Sequence, residues 1–212
     1  MIIGITGFIS SGKDTAADYL VNFHQFRRES FASTLKDSVA AVFGWDRAML
    51  EGRTKDAREQ REQVDTWWAD RLGMPNLTPR WVLQYWGTEV CRQGFHDNIW
   101  IASLENKLRN SHDDVVITDC RFPNEISAIK RAGGMVVWVR RGELPEWYRD
   151  ACDVNAGESC KNYTVALERM KQRNVHASET AWVGTKFDHI IDNNGSIQDL
   201  YDQVKMLVKN PG

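Results

Sequence analysis

No stretch of the 212 residues approaches the run of about 20 apolar side chains that a membrane-spanning helix needs. Residues 1 to 5 read as a strand and not as a signal peptide, so the expected location is cytoplasmic and no membrane partner is expected. Cys91, Cys120, Cys152 and Cys160 have no C-x-x-C spacing, and the five histidines include no H-x-x-x-H pair. A transition-metal site is therefore not expected, and reduced thiols are. Basic charge is not in excess either: 27 Lys and Arg face 29 Asp and Glu, for a net charge of -2. That balance argues against a surface that holds nucleic acid by bulk attraction, so any anionic ligand must be met by local groups. Internal repeats and low-complexity linkers are also missing. The length suits one α/β domain carrying an insertion.

What is there begins with "GFISSGKDTA", residues 7 to 16, in which Gly7 is followed after four residues by Gly12 and Lys13. The spacing is that of a phosphate-binding loop, but Asp14 stands where G-x-x-x-x-G-K-[ST] places the hydroxyl that meets magnesium. The context fits the motif. "MIIGIT" ahead of it reads as a buried parallel strand, and the apolar residues from 14 to about 23 recur at helical spacing. Such a turn offers backbone N–H groups and a helix N-terminus to phosphate oxygens, and Lys13 adds a mobile charge. Asp14 reads two ways that are compatible. It complements the helix macrodipole with no further role, or it orients magnesium, with Thr15 next in line to supply a hydroxyl.

Further along, residues 30 to 45 read as a short extended piece and then a helix ended by Gly44. The segment from Trp45 to Pro79 is dense in both charges and reads as an exposed helical insertion. Thr78 and Pro79 start another helix, with a break expected at Gly87, and a further helix runs from about Asn98 to Leu108. "DVVITDCRFPNE" is the second strong strand, its helix ends at Gly133 and Gly134, and "MVVWVRR" is the third. Residues 142 to 181 show one helix, near Tyr163 to Arg173. "DHIIDNNGS" and "IQDLYDQVKMLV" close the chain as a strand, a turn and an amphipathic helix. Strands separated by helices predict a parallel sheet covered on both faces, a three-layer α/β/α fold.

Asp119 and Arg121 lie just past a buried strand, where open α/β sheets hold their ligands. They read as a metal-proximal acid with a phosphate-clamping arginine, or simply as an ion pair at a strand end.

Taken together, the "SGKDT" loop, "FASTLKD", "RWVLQYWGTE", "HDNIW", "VVITDCRFPNE", "HASE" and "DNNGS" resemble the deoxynucleoside monophosphate kinases of bacteriophages. The resemblance is spread over most of the chain, and aspartate after the loop lysine is regular in that family. It implies a P-loop kinase with a helical acceptor-binding insertion at about 45–110 and a lid-like segment at about 141–181. It further implies ATP and Mg2+ as cofactors, a deoxynucleoside monophosphate as substrate, residence in the host cytoplasm and, on the family alone, a homodimer. By position, Gly7, Ser11, Gly12, Lys13, Asp14 and Thr15 would hold the donor phosphates, with Asp14 and Thr15 at the metal. Lys36 would contact the acceptor or transferring phosphate. Arg80, Gln84, Gly87 and Thr88 match the R-x-x-x-Q-x-x-G-T segment that lines the acceptor site and approaches the donor. Trp100 would be an aromatic wall, and Asp119, Arg121 and Glu125 match the acidic strand end and its arginine. Lys13, Arg121, Asp119 and Arg80 form the expected catalytic set, with Arg140 or Arg141 as lid arginine.

Each assignment has a plainer counterpart: Lys36 and Gln84 as solvated helix residues, Trp100 as core, Arg140 and Arg141 as a solvated turn. Trp67 and Trp68 either cover the insertion or stack on a base, and no role for His176, Ser178 or Glu179 follows from sequence. The charged segment from Glu51 to Arg71 varies between relatives, so base selectivity does not carry over. Two rivals remain: a P-loop kinase for another small acceptor, of the dephospho-coenzyme A or phosphomevalonate kinase kind, and a nucleotide-binding regulatory protein without turnover. No general base is evident, and none is needed for a monophosphate acceptor whose second pKa lies near about 6.

Overall fold

The computed structural model describes residues 1–109 and 111–209. In chain order the elements are β1 (Ile2–Thr6), α1 (Lys13–His24), β2 (Arg27–Glu29), α2 (Ser33–Phe43), α3 (Arg47–Glu51), α4 (Lys55–Glu62), α5 (Thr66–Leu72) and α6 (Pro79–Tyr85). A π-helical stretch, Trp86–Gln93, continues α6. Then come α7 (Ile99–Leu108), β3 (Val115–Ile117), α8 (Pro123–Arg131), β4 (Met135–Arg140), α9 (Tyr148–Asn155), α10 (Tyr163–Arg173), α11 (Ala177–Thr180), β5 (His189–Asp192) and α12 (Ile197–Lys209). Two compact units result, Met1–Ser30 with His112–Gly212, and Phe31–Ser111. No helix of the described residues is long and apolar enough to cross a membrane.

The first unit holds a five-stranded sheet in the order β2-β3-β1-β4-β5, every pairing parallel. Parallel strands need crossover helices, and these cover the apolar faces. Ile3 and Ile5 of β1 pack with Ala16, Ala17 and Leu20 of α1 and with Leu200, Val204 and Leu207 of α12. Gly4, between them, faces the other way and lies against Ile129 of α8. Helices on both faces make the three-layer arrangement expected. All strands run the same way, so the segments after β1, β3, β4 and β5 leave the sheet at one edge.

The second unit is helical. Asp46, Thr54, Asp65 and Thr78 cap α3 to α6, each side chain accepting from the backbone N–H three residues on. Leu35, Val39, Leu50, Leu77, Val82 and Leu104 are buried in it.

Four elements differ from the sequence reading. The extended piece expected after residue 30 is β2, at Arg27–Glu29, a charged edge strand whose residues carry no β signal. Gly87 does not break its helix; the backbone widens into a π-helix there, with Gly87 and Arg92, five residues apart, turned inward, a spacing that the 3.6-residue pattern does not reveal. Within residues 142–181 the sequence shows one helix and the structure has three: α9 is short with Ala151 as its one buried apolar residue, and α11 is a single turn with none.

Candidate active site

The loop between β1 and α1 is built around its glycines. Gly7 has φ +148 and Gly12 φ +99, and a Cβ on either would come within 2.4 Å of the Val139 carbonyl or 2.3 Å of Asn193 Nδ2. Both positions therefore combine a disfavoured backbone conformation with missing space. Asn193 clamps the loop from the end of β5, its Nδ2 donating to Ser11 O at 2.9 Å while its backbone N–H reaches Arg140 O at 2.8 Å. Phe8 is anchored from below by Trp182, 4.8 Å between centroids, and by the edges of Trp147 and Tyr148. Trp182 is itself buried. This aromatic base comes from residues 147–182, and no sequence spacing links Trp147, Tyr148 and Trp182 to the loop.

Lys13 Nζ donates to Phe8 O at 2.7 Å. Burial pushes the lysine pKa down to about 8, Arg121 pushes the same way, and Asp14 and Glu179 oppose it. A lysine so placed is short of negative charge, and an anion at the loop would supply it. The first turn of α1 leaves backbone N–H groups of Lys13, Asp14 and Thr15 without intrahelical partners, so they too can meet an anion.

Asp14 points to solvent, 83% exposed, and pairs with Arg28 Nη2 at 2.7 Å; Arg28 also reaches Asp18 at 2.9 Å. The Arg28 pairing was not foreseen. Thr15 is half-buried in the same turn. Magnesium sits in sites with one or two protein oxygens, the rest coming from phosphate and water. A carboxylate and a hydroxyl beside a phosphate loop fit that need, and among the described residues no cluster of three His, Cys, Asp or Glu stands ready to hold a metal alone.

Asp119 and Arg121 lie in the loop after β3. Asp119 accepts from Ser30 Oγ at 2.6 Å, and Arg121 Nη1 reaches Glu179 Oε1 at 2.7 Å. Glu179 was matched in sequence but given no role; here it is the counter-charge of Arg121 and lies near Lys13. Nothing local could have paired residues 58 apart. His176 caps the turn that carries Glu179, its Nδ1 accepting from Ser178 N–H at 3.2 Å. Asn155 Nδ2 holds the same turn through Thr180 O and Val183 O, both at 2.8 Å.

Glu125 departs from its expected part as a substrate contact. It is 3% exposed, and its Oε2 accepts from the backbone N–H of Arg121 at 2.7 Å and of Phe122 at 3.1 Å. A carboxylate used in this way positions the arginine loop at the start of α8. Arg140 ends β4 and pairs with Asp192 at 2.8 Å, while Arg141 is exposed.

The second unit carries the remaining predicted residues. Lys36 Nζ reaches Glu51 at 2.9 Å, and Arg47 reaches the same carboxylate at 2.6 Å. Burial pushes the Glu51 pKa up, but Lys36 and Arg47 outweigh it and bring it to about 2. Arg80 pairs with Glu62 at 3.2 Å, and Gln84 and Thr88 are half-buried. Gly87 is closed against Leu35, and Trp100 Nε1 donates to Gly87 O at 2.9 Å. At 8% exposure Trp100 has little face to offer a base. It follows the core alternative and supports the π-helical stretch. Trp68 likewise turns inward, donating to Phe43 O at 3.0 Å, while Trp67 is 62% exposed.

No protein-family model matches the chain. A provisionally named deoxynucleotide monophosphate kinase of Acanthamoeba polyphaga mimivirus is 30% identical, over 99% of this chain and 97% of the relative. The deoxynucleoside-5'-monophosphate kinase of Escherichia phage T5 is 28% identical over 59% of this chain and 70% of its own length. Among solved structures, shikimate kinase from Aquifex aeolicus covers 99% of this chain and 96% of its own at 13% identity, with a TM-score of 0.47.

Proposed function

The chain belongs to the deoxynucleotide monophosphate kinase family, and from that premise we propose that it transfers the γ-phosphoryl group of ATP to a deoxynucleoside 5'-monophosphate. An oxygen of the acceptor phosphate forms the new P–O bond, the bond between the γ-phosphorus and the β,γ-bridging oxygen breaks, and ADP leaves with the electron pair. The observation that carries the reading is the group Lys13, Arg121 and Glu179 at the phosphate loop, two cations sharing one carboxylate beside exposed helix N–H groups.

In this reading Gly7, Ser11, Gly12 and Lys13 form the loop that holds the donor phosphates, met by the open backbone N–H groups of the first turn of α1 and by one ammonium. Lys13 exchanges the Phe8 carbonyl for a phosphate oxygen, and Arg121 exchanges Glu179 for the transferring group, whose charge the two cations offset. Glu125 keeps the Arg121 backbone in place, and Asp119 with Ser30 fixes the loop between them. Asp14 and Thr15 would hold magnesium, which supplies neutralisation of the phosphate charges when bound with the nucleotide. On the second unit, Arg80, Gln84, Gly87 and Thr88 serve the acceptor, with Trp100 acting through Gly87. Because the acceptor phosphate is largely dianionic at neutral pH, positioning and charge neutralisation suffice without a general base.

Purified protein with ATP, magnesium and each of the four common deoxynucleoside monophosphates, followed by coupled detection of ADP, tests the reading. Nucleotide-dependent ADP release is expected with at least one acceptor. Absence of turnover with all four, and with the ribonucleotides, rules it out.

A further inference from the structure

Arg61, on α4, is a half-buried guanidinium that forms no ion pair with a carboxylate among the described residues. It lies flat on Gly52, where a Cβ would come within 2.4 Å of Cζ, and Gly52 has φ +67 as the residue that closes α3. Nη1 donates to Leu50 O at 3.2 Å. Nε is shut off from solvent with no hydrogen-bond partner among the described residues. The charges facing it do not neutralise it: Arg80 from α6 and Arg58 from its own helix are cations, Glu62 is engaged by Arg80, and Glu51 by Lys36 and Arg47. Burial, and after it Arg80, push the Arg61 pKa down.

The fold thus gathers cations from four helices, Lys36, Arg47, Arg61 and Arg80, around Glu51 and Glu62, which are already shared. A desolvated cation beside another cation is unfavourable by itself, and a dianion relieves both costs. The planar fork of arginine matches phosphate oxygens in pairs.

We infer that Arg61 and Arg80 together seat the 5'-phosphate of the acceptor nucleotide, and that Arg61 is the residue that makes a monophosphate obligatory. The inference rests on the kinase reading above. It identifies the acceptor class as phosphate monoesters and not alcohols, and it makes the contact indifferent to base. Glu62 and Glu51 act as placeholders that the phosphate displaces.

The test uses the full chain with Arg61→Gln and Arg61→Lys. Acceptor and ATP KM values are measured for each deoxynucleotide, and a deoxynucleoside monophosphate and inorganic phosphate are titrated calorimetrically without ATP. Arg61→Gln should raise the acceptor KM about 10- to 100-fold, by a similar factor for every base, with the ATP KM within about twofold. Arg61→Lys, which keeps a cation but loses the fork, should fall between; should Arg61→Gln fail to fold, Arg61→Lys decides by the same ratio. An acceptor KM that stays within about twofold of wild type, or that rises in step with the ATP KM, overturns the seat while leaving the kinase reading intact. If wild type forms no diphosphate, the kinase reading fails and the titrations decide alone. Loss of phosphate and monophosphate binding in Arg61→Gln supports the seat; unchanged binding, or none by wild type, overturns it.

Discussion

Lys13 and Arg61 are both cations partly withdrawn from water, but they reach that state by opposite routes. Lys13 sits in a contiguous loop, with a backbone carbonyl at 2.7 Å and the carboxylates of Asp14 and Glu179 in range. Arg61 is assembled from a distance, pressed on Gly52 by the α3 turn and crowded by Arg80 from α6. The comparison separates two ways of making an anion site: a local motif whose spacing is itself the chemistry, and a tertiary cluster in which no short stretch carries the signal.

The largest expected effect breaks the local site. Lys13→Met should lower kcat by about 10²- to 10³-fold, as removal of one charge-stabilising donor does elsewhere. Because burial disfavours the ammonium, the same change should leave the melting temperature unchanged or raise it. A large fall in melting temperature would instead make Lys13 structural.

That contrast also marks what was legible. The loop, the parallel sheet and the position of Asp119 and Arg121 past the end of β3 could be read because strand, turn and helix follow one another within a dozen residues. Glu179 could not, since its partner Arg121 lies 58 residues earlier and only the fold joins them. Arg61 looked like a solvated charge in "REQREQ", where polar neighbours hide which face is covered. Glu125 and Trp100 are expected from sequence as substrate contacts, but both are buried, with their polar atoms turned to backbone groups. Burial is a tertiary property that motif position does not encode.

Next in size is the support of Arg121. Glu125→Ala leaves two backbone N–H groups without their acceptor and should cost about 1–2 kcal/mol, as loss of a helix cap does. Denaturant unfolding checks the cost, and kcat should fall beyond what stability explains. Unchanged kcat would detach Glu125 from the site.

The pH dependence sharpens the comparison between units. Glu51, held at about 2 against an ordinary 4.5, contributes stability that is present above about 4.5 and lost as pH falls toward about 2. Glu51→Gln should flatten that acid limb. Lys13 has the opposite sense: its pKa of about 8 lies below the ordinary 10.5, so the unfolded chain binds the proton more tightly and stability from this group rises between those values. Nucleotide binding, which favours the ammonium, should take up a proton above about pH 8, so ATP affinity should weaken there. Calorimetry in buffers of different ionisation enthalpy reads that uptake.

The smallest expected effect is at Trp100. Trp100→Phe keeps the ring but removes the donor to Gly87 O, for about 1 kcal/mol. The acceptor KM should rise a few-fold with the ATP KM steady, and a change in the ATP KM alone would place Gly87 on the donor side.

The most direct test of the account follows the transferred group. With ATP labelled at the γ-phosphate, a single turnover in the presence of a deoxynucleoside monophosphate and of the matching nucleoside should place the label on the β-phosphate of the deoxynucleoside diphosphate and none on the nucleoside. Label recovered only as inorganic phosphate, or on the nucleoside 5'-oxygen, would contradict it.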